Sequence, residues 1–507
     1  MMAKQPRIDS PQKVTALEAA PGRRRAERAE QERRRGQFAP RLGWGGRFGG
    51  RAAVEDTGTV YTGPSTQAAG MFPFLLGAGL PPRGVPVGRD ILTGELVCLD
   101  PAGWVGKLTT NANVWIMSQP GAGKSALVKR MLLFHALFGY MPVIPGDVKG
   151  EYSELVCQLG GSVVRIGDGI GRLNPLDSGP LKRRLHLLGP SERDNVLDIL
   201  NSRRLETLGA LLATKHGLGR TPDEVQRSAL TLAVQIAADR SHGEDPIVPD
   251  VVTVLRQAPE ALQAKLAAHG DTYKELTRSV IAGLENLCSG PLKGLFDGPT
   301  TQQLDVDAPA VSVDISRLRA RGTDTISAGM IATWAYAYSS IDSARSTGLM
   351  SRRLILPMDE MWRALRSGPG LVDAMDSIGR LSRGDGDITI YITHSLLDSE
   401  SLPTEEDRAK ARGLMDRCYT WVIGASSAEE LKRVTGKREL TEQERMMIAS
   451  WSSSTTTGLD SGDAVHPGRG KYMIKVGTRP GIAAASELTP TEARLYHTDP
   501  EAGGEAP

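Results

Sequence analysis

One stretch limits the folds open to this chain more than any other. An apolar run, Asn113 to Ser118, leads into Ser118-Gln-Pro-Gly-Ala-Gly-Lys-Ser125, and a helical stretch follows from Ala126 to Phe138. The loop fits the pattern G-x-x-x-x-G-K-[ST], with serine in place of the first glycine, and it has the strand before and helix after that the pattern requires. Glycines let backbone N–H groups approach phosphate oxygens, and the helix turns its N-terminus toward them. Gln119, Pro120, Gly121, Ala122, Gly123, Lys124, Ser125 and Ala126 are therefore the candidate phosphate cradle. Lys124 would reach the β- and γ-phosphates, and Ser125 would ligate Mg²⁺. A glycine-rich turn beside a stray lysine is the competing explanation, and the flanking elements disfavour it.

A second apolar strand, Leu354-Ile-Leu-Pro-Met358, ends in Asp359-Glu360. That is the form of a Walker B segment, in which Asp359 holds the Mg²⁺ shell and Glu360 polarises the attacking water. In isolation, an apolar run followed by an Asp that caps a helix would be the plainer reading; the loop upstream favours the catalytic one. The strand Met141 to Pro145 runs into Asp147-Val-Lys149-Gly150-Glu151. It ends at the carboxyl edge, where open α/β sheets bind ligands, so Asp147, Lys149 and Glu151 join the nucleotide-binding candidates. Spacing alone leaves an exposed charged turn equally open for that stretch.

Strands alternating with helices predict a parallel sheet covered on both faces. The chain has 507 residues, 40% of them hydrophobic, enough for a large core with insertions. Its net charge of +2 is the difference between 61 basic and 59 acidic residues, so any basic surface must be local. Cys98, Cys157, Cys288 and Cys418 are scattered without a CxxC pair, which excludes a sequence-evident zinc site or disulfide framework and predicts buried thiols in a reducing cytoplasm. No apolar stretch approaches the ~20 residues that span a bilayer, and no export signal core is visible.

Residues 1–52, with Arg23-Arg24-Arg25 and Arg33-Arg34-Arg35, predict a basic disordered or partly helical arm. Residues 53–110 predict a lead-in segment with short strands around a Thr93-Gly94 turn, 111–177 the first part of the α/β core, and 178–289 an α-helical insertion. Residues 290–500 predict the rest of the core, with strands at Ala310 to Asp314, Ile388 to Thr393 and Thr420 to Gly424 and a closing hairpin from Gly470 to Ala485, and 501–507 a tail. Trp115 and Trp362 flank the nucleotide motifs and read as packing residues.

In combination, the Gly-x-Gly-Lys-Ser loop, Asp147-x-Lys-Gly-Glu151, Asn174-Pro-Leu-Asp177 and Asp359-Glu360 resemble the FtsK–HerA superfamily of hexameric motor ATPases, most closely its conjugation and type IV secretion branch. Gly290 to Gly298, Gly470 to Val476 and Leu488-Thr-Pro-Thr-Glu492 look like the TraC/TrbE-type secretion ATPases, and the resemblance covers about residues 83 to 500. It implies an α/β, RecA-like P-loop NTPase fold with a mainly parallel central sheet, an inserted all-α subdomain and a C-terminal β-hairpin. It also implies ATP as the nucleotide, a homo-oligomer of hexamer type, and membrane-embedded secretion or conjugation subunits as partners, with DNA a further candidate. The chain would then work in the cytoplasm at the inner face of the membrane, held there by partners.

Two residues follow by position within the resemblance. Arg383 stands where the superfamily has a trans-acting arginine, with Arg380 as its rival, and His394 stands where it has a glutamine. The histidine departs from the pattern, can still hydrogen-bond the γ-phosphate or the lytic water, and adds pH sensitivity. A second departure is that only about 110 residues precede the loop, where secretion ATPases usually carry a long docking domain, so a separate polypeptide or the arm is expected to dock. A conjugative coupling protein or DNA translocase is the alternative function, and a nucleotide-gated scaffold a third.

Overall fold

The computed structural model describes residues 80–496 apart from 168, 180–188, 347, 349, 374, 377–385, 436–437 and 453–465. The predicted arm, the tail and both Arg380 and Arg383 lie outside the described residues. The strands are β1 Val85–Asp90, β2 Leu96–Leu99, β3 Val114–Met117, β4 Met141–Asp147, β5 Ser162–Arg165, β6 Val311–Asp314, β7 Leu354–Met358, β8 Ile388–Thr393, β9 Thr420–Ile423, β10 Lys471–Val476 and β11 Ile482–Ala485. They form one sheet in the order β2-β1-β11-β10-β9-β3-β8-β7-β4-β6-β5.

From β9 to β5 all neighbours are parallel, and β10, β11, β1 and β2 extend the sheet antiparallel from β9. The central strands β3 and β7 are buried at every residue, as parallel strands covered on both faces must be. Their side chains alternate between two cores: Trp115 and Met117 enter one, Val114 and Ile116 the other. The expected α/β fold with a mainly parallel sheet is therefore the observed one, and the closing hairpin is β10–β11.

The first helix, α1 Lys124–Leu137, packs Leu127, Val128, Met131 and Leu132 on the face that holds Val114 and Ile116. A short helix, α2 Ser153–Gln158, follows β4. Five helices, α3 Pro190–Ala213, α4 Glu224–Arg240, α5 Val248–Gln257, α6 Glu260–Leu266 and α7 Gly270–Leu287, then run without a strand. They share the core of the opposite face, through Leu208, Leu230, Val251 and Leu284. Asp223 starts α4 with a capping box closed by Gln226. Arg203 of α3 pairs with Asp342 of the long helix α8 Thr323–Ser346, which lies between β6 and β7. Further helices are α9 Met361–Leu365, α10 Leu397–Glu400, α11 Glu405–Asp416, α12 Ala428–Thr435, α13 Glu442–Ser450 and α14 Pro490–Tyr496.

Two expectations need correction, and one further strand joins the sheet. β4 runs on to Asp147, two residues beyond Pro145, because β6 pairs with it there after a register shift between Ile144 and Asp147. The edge strand β5 was not legible: four residues after Gly160-Gly161 become a strand only by pairing with β6. The thiols are not uniformly buried. Cys98 and Cys418 are, but Cys288 is partly covered and Cys157 is exposed, because the short α2 buries only Leu155 and Val156.

Candidate nucleotide site

The loop between β3 and α1 has the backbone that its glycines allow. Gly121 and Gly123 sit at φ of 76° and 96°, in the left-handed region that side chains disfavour. A Cβ on Gly123 would also lie 2.8 Å from the Tyr472 hydroxyl oxygen. The Lys124 ammonium folds back onto the loop and donates to the carbonyls of Ser118 (2.5 Å) and Gln119 (2.9 Å). Burial lowers its pKa to about 8; the charges of Asp359, Glu360 and Glu151 oppose that shift and Lys149 adds to it. The lysine is therefore within electrostatic reach of Asp359 and Glu360, which follow β7, and of the loop after β4. Ser125, one residue on, lies half-buried in the first turn of α1.

β7 is not the neighbour of β3; β8 lies between them. His394, the residue after β8, is therefore set between the phosphate loop and the acidic pair, with its ring partly exposed. Glu360 takes φ of 53°, which for a non-glycine residue stores strain of roughly 1–3 kcal/mol and is a feature common at functional sites. Around its carboxylate stand Lys149 Nζ at 3.3 Å, an Arg363 nitrogen at 3.7 Å and His394 Nε2 at 3.8 Å. The His394 ring, then Lys149 and Arg363, hold its pKa down at about 2 against the opposing effect of burial. Glu360 is thus ionised throughout the physiological range.

Asp147 has a structural task in view. Its buried carboxylate accepts the N–H groups of Glu151 (3.1 Å) and Tyr152 (2.9 Å), closing the loop that carries Lys149 and Glu151. Burial raises its pKa to about 6, and those N–H bonds restrain the rise. Lys149 in turn bridges Glu151 at 3.4 Å and Glu360. Motif reasoning did not single out Tyr152, whose hydroxyl donates to Asp359 Oδ2 at 3.1 Å. An aromatic directly after a charged turn reads as the first core residue of a helix; only the pairing of the two loops reveals its polar end.

Gln119, Pro120, Gly121, Ala122, Gly123, Lys124, Ser125 and Ala126 thus gather with Asp147, Lys149, Glu151, Asp359, Glu360 and His394 at the carboxyl ends of β3, β4, β7 and β8. Among the described residues no group of three or more His, Cys, Asp or Glu could cage a metal alone. The donors here, the Ser125 hydroxyl and the Asp359 carboxylate, are hard oxygens of the kind that hold Mg²⁺ together with phosphates and water. Each Asp359 oxygen accepts one bond, from Glu360 N–H (2.9 Å) or from Tyr152, leaving lone pairs for a cation. The residues fit the ion.

Trp115 stacks on Trp421 at 5.7 Å beneath this edge and meets Trp362 at 5.9 Å, both as packing partners. The closing hairpin braces the loop from the other side. Tyr472 donates to Gly123 O, and Gly470 N–H to Ala122 O at 3.1 Å.

This sheet order and this loop define a RecA-like P-loop nucleotide-binding fold. Among solved structures, VirB4 of Thermoanaerobacter pseudethanolicus shares that fold over 82% of this chain and 99% of its own, with a TM-score of 0.62 and 21% identity. The plasmid coupling protein TrwB in complex with ADP and Mg²⁺ aligns more distantly, over 74% of this chain and 85% of its own, with a TM-score of 0.45 and 12% identity. No family model matches the chain, and no curated protein matches it in sequence.

Proposed function

We propose that this chain is an ATP-hydrolysing motor of a conjugation or type IV secretion apparatus, working as a homo-oligomeric ring. The observation that carries the reading is the placement of the Lys124 loop and of Asp359-Glu360 at the carboxyl ends of β3 and β7 in one parallel sheet, on a fold shared with VirB4. Lys124 exchanges its two carbonyl partners for phosphate oxygens and steadies the charge that develops on the transferring phosphoryl group. Ser125 and Asp359 would hold Mg²⁺, which would supply neutralising positive charge to the phosphates. Glu360, ionised and backed by Lys149, accepts the proton of the attacking water, and His394 orients that water or the γ-phosphate. Arg383 from a neighbouring subunit completes the site, which is why a ring is required.

Among the described residues no helix is long and apolar enough to cross a membrane. Attachment at the inner face of the membrane would then come from the embedded subunits of the apparatus. The test is the steady-state ATPase rate of purified protein with and without single- and double-stranded DNA, alongside the mass of the nucleotide-bound assembly. DNA-indifferent turnover in a ring supports the secretion motor. Strong stimulation by DNA replaces it with a coupling protein or DNA pump, and absence of turnover removes the enzyme reading.

A further inference from the structure

The two acidic residues at the end of β7 are each held by a side chain of one other loop. Lys149 Nζ lies 3.3 Å from Glu360, and the Tyr152 hydroxyl 3.1 Å from Asp359. Tyr152 is almost wholly buried, and its own N–H is tied to Asp147. Its ring packs in the core with Val128 and Leu155 and lies 5.9 Å under the Lys129 ammonium of α1. Backbone and ring are therefore both fixed before the hydroxyl finds a partner. A phenylalanine would fill that core equally well, and a buried hydroxyl is unfavourable unless it is bonded. Here the bond is made to the carboxylate best placed to hold a cation.

We infer that Tyr152 is a positioning residue for Asp359, setting the plane of its carboxylate and through it the Mg²⁺ affinity of the nucleotide site. The inference rests on the ATP and Mg²⁺ reading above. With Glu360 N–H on one carboxylate oxygen and Tyr152 on the other, rotation about the terminal bond of Asp359 is blocked from both sides. The free lone pairs then keep one direction. Without the hydroxyl the carboxylate turns about a single N–H anchor, and the cation loses a pre-aimed ligand. Outer hydrogen-bond partners of metal ligands typically account for about 10- to 100-fold in metal affinity.

The experiment is a Mg²⁺ titration of a fluorescent ADP analogue bound to the full-length protein, with an EDTA baseline. Tyr152→Phe is expected to bind the analogue in EDTA as wild type does, and to need about tenfold more Mg²⁺ for half of the magnesium-dependent signal. In an Asp359→Asn background the same substitution should produce no further shift, because the group it positions has gone. Tyr152→Leu, which also lacks the donor, should shift the curve in the same direction and serves if the phenylalanine variant does not fold. A Mg²⁺ curve superimposed on that of wild type, or an equal loss of binding in EDTA, overturns the positioning role. Failure of the wild-type protein to bind the analogue at all overturns instead the nucleotide reading on which it rests.

Discussion

Tyr472 donates its hydroxyl proton to the carbonyl oxygen of Gly123 at 2.8 Å, tying the closing hairpin to the hinge of the phosphate loop. Gly123 precedes α1, and any side chain there would meet that hydroxyl. Tyr472→Phe keeps the buried ring and leaves the carbonyl without this donor. The expected result is a stability loss of about 1 kcal/mol by urea denaturation together with weaker nucleotide binding. Unchanged binding would limit the hairpin to a structural part.

Lys124→Ala should abolish turnover, since no other described side chain takes its place on the loop. The lysine also predicts a pH effect. Its pKa is lowered from 10.5 to about 8, so above pH 8 the free site must take up a proton to meet a phosphate. Nucleotide affinity is expected to fall as pH rises past 8, with proton uptake measurable by calorimetry in buffers of different ionisation heat. The unfolded chain holds more protons than the folded one between about 8 and 10.5, so this group makes stability rise with pH across that window. Lys124→Met should flatten that rise.

Glu360→Gln should bind ATP and hydrolyse it at least ~10²-fold more slowly, the usual contribution of a general base. With Glu360 held at about 2, any acid limb in the pH–rate profile of the wild type near pH 5 or 6 must come from another group. Lys149→Ala should move the fall in rate assigned to Glu360 toward higher pH, because it removes a cation 3.3 Å from the carboxylate.

Arg130 of α1 makes paired bonds of 2.7 Å to both oxygens of Glu492 in α14, and both residues are buried. Removing one partner of such a pair typically costs about 3–5 kcal/mol. Glu492→Ala should lower stability toward that range, moderated by the bonds that Arg130 keeps to Ser486 and Glu487. Chemical denaturation of Glu492→Ala, Arg130→Ala and the double variant would separate the pair from its surroundings.

Arg383→Ala mixed with Lys124→Ala should recover part of the activity if the arginine acts across subunits, because hybrid interfaces combine an intact loop with an intact arginine. No recovery in mixed rings of verified composition would count against Arg383 and move attention to Arg380.

Elements with strong local signals were legible without coordinates. β3, β7 and α1 could be read because an unbroken apolar run and a glycine-rich turn leave few alternatives, and Lys124, Asp359 and Glu360 followed from them. β5 could not, since its four residues carry no periodicity and exist as a strand only against β6. A place at a strand end marks Asp147 as a nucleotide-binding candidate, and only the folded loop shows its oxygens accepting the N–H groups of Glu151 and Tyr152. Tyr152 gives no signal in the sequence, because the partner of its hydroxyl lies 207 residues away.

The sequence alone determined the chemistry available: a loop whose glycines and lysine suit phosphates, an acidic pair after an apolar strand, and an alternation of strands and helices that leads to a parallel sheet. Those are local properties, set by side-chain type and backbone freedom over a few residues. Tertiary structure alone decided the strand order that inserts β8 between β3 and β7, the approach of Lys149 to Glu360, and the grip of Tyr152 and Tyr472 on the site. These depend on which loops the sheet brings side by side, and contacts between residues hundreds of positions apart leave no periodic trace in the chain.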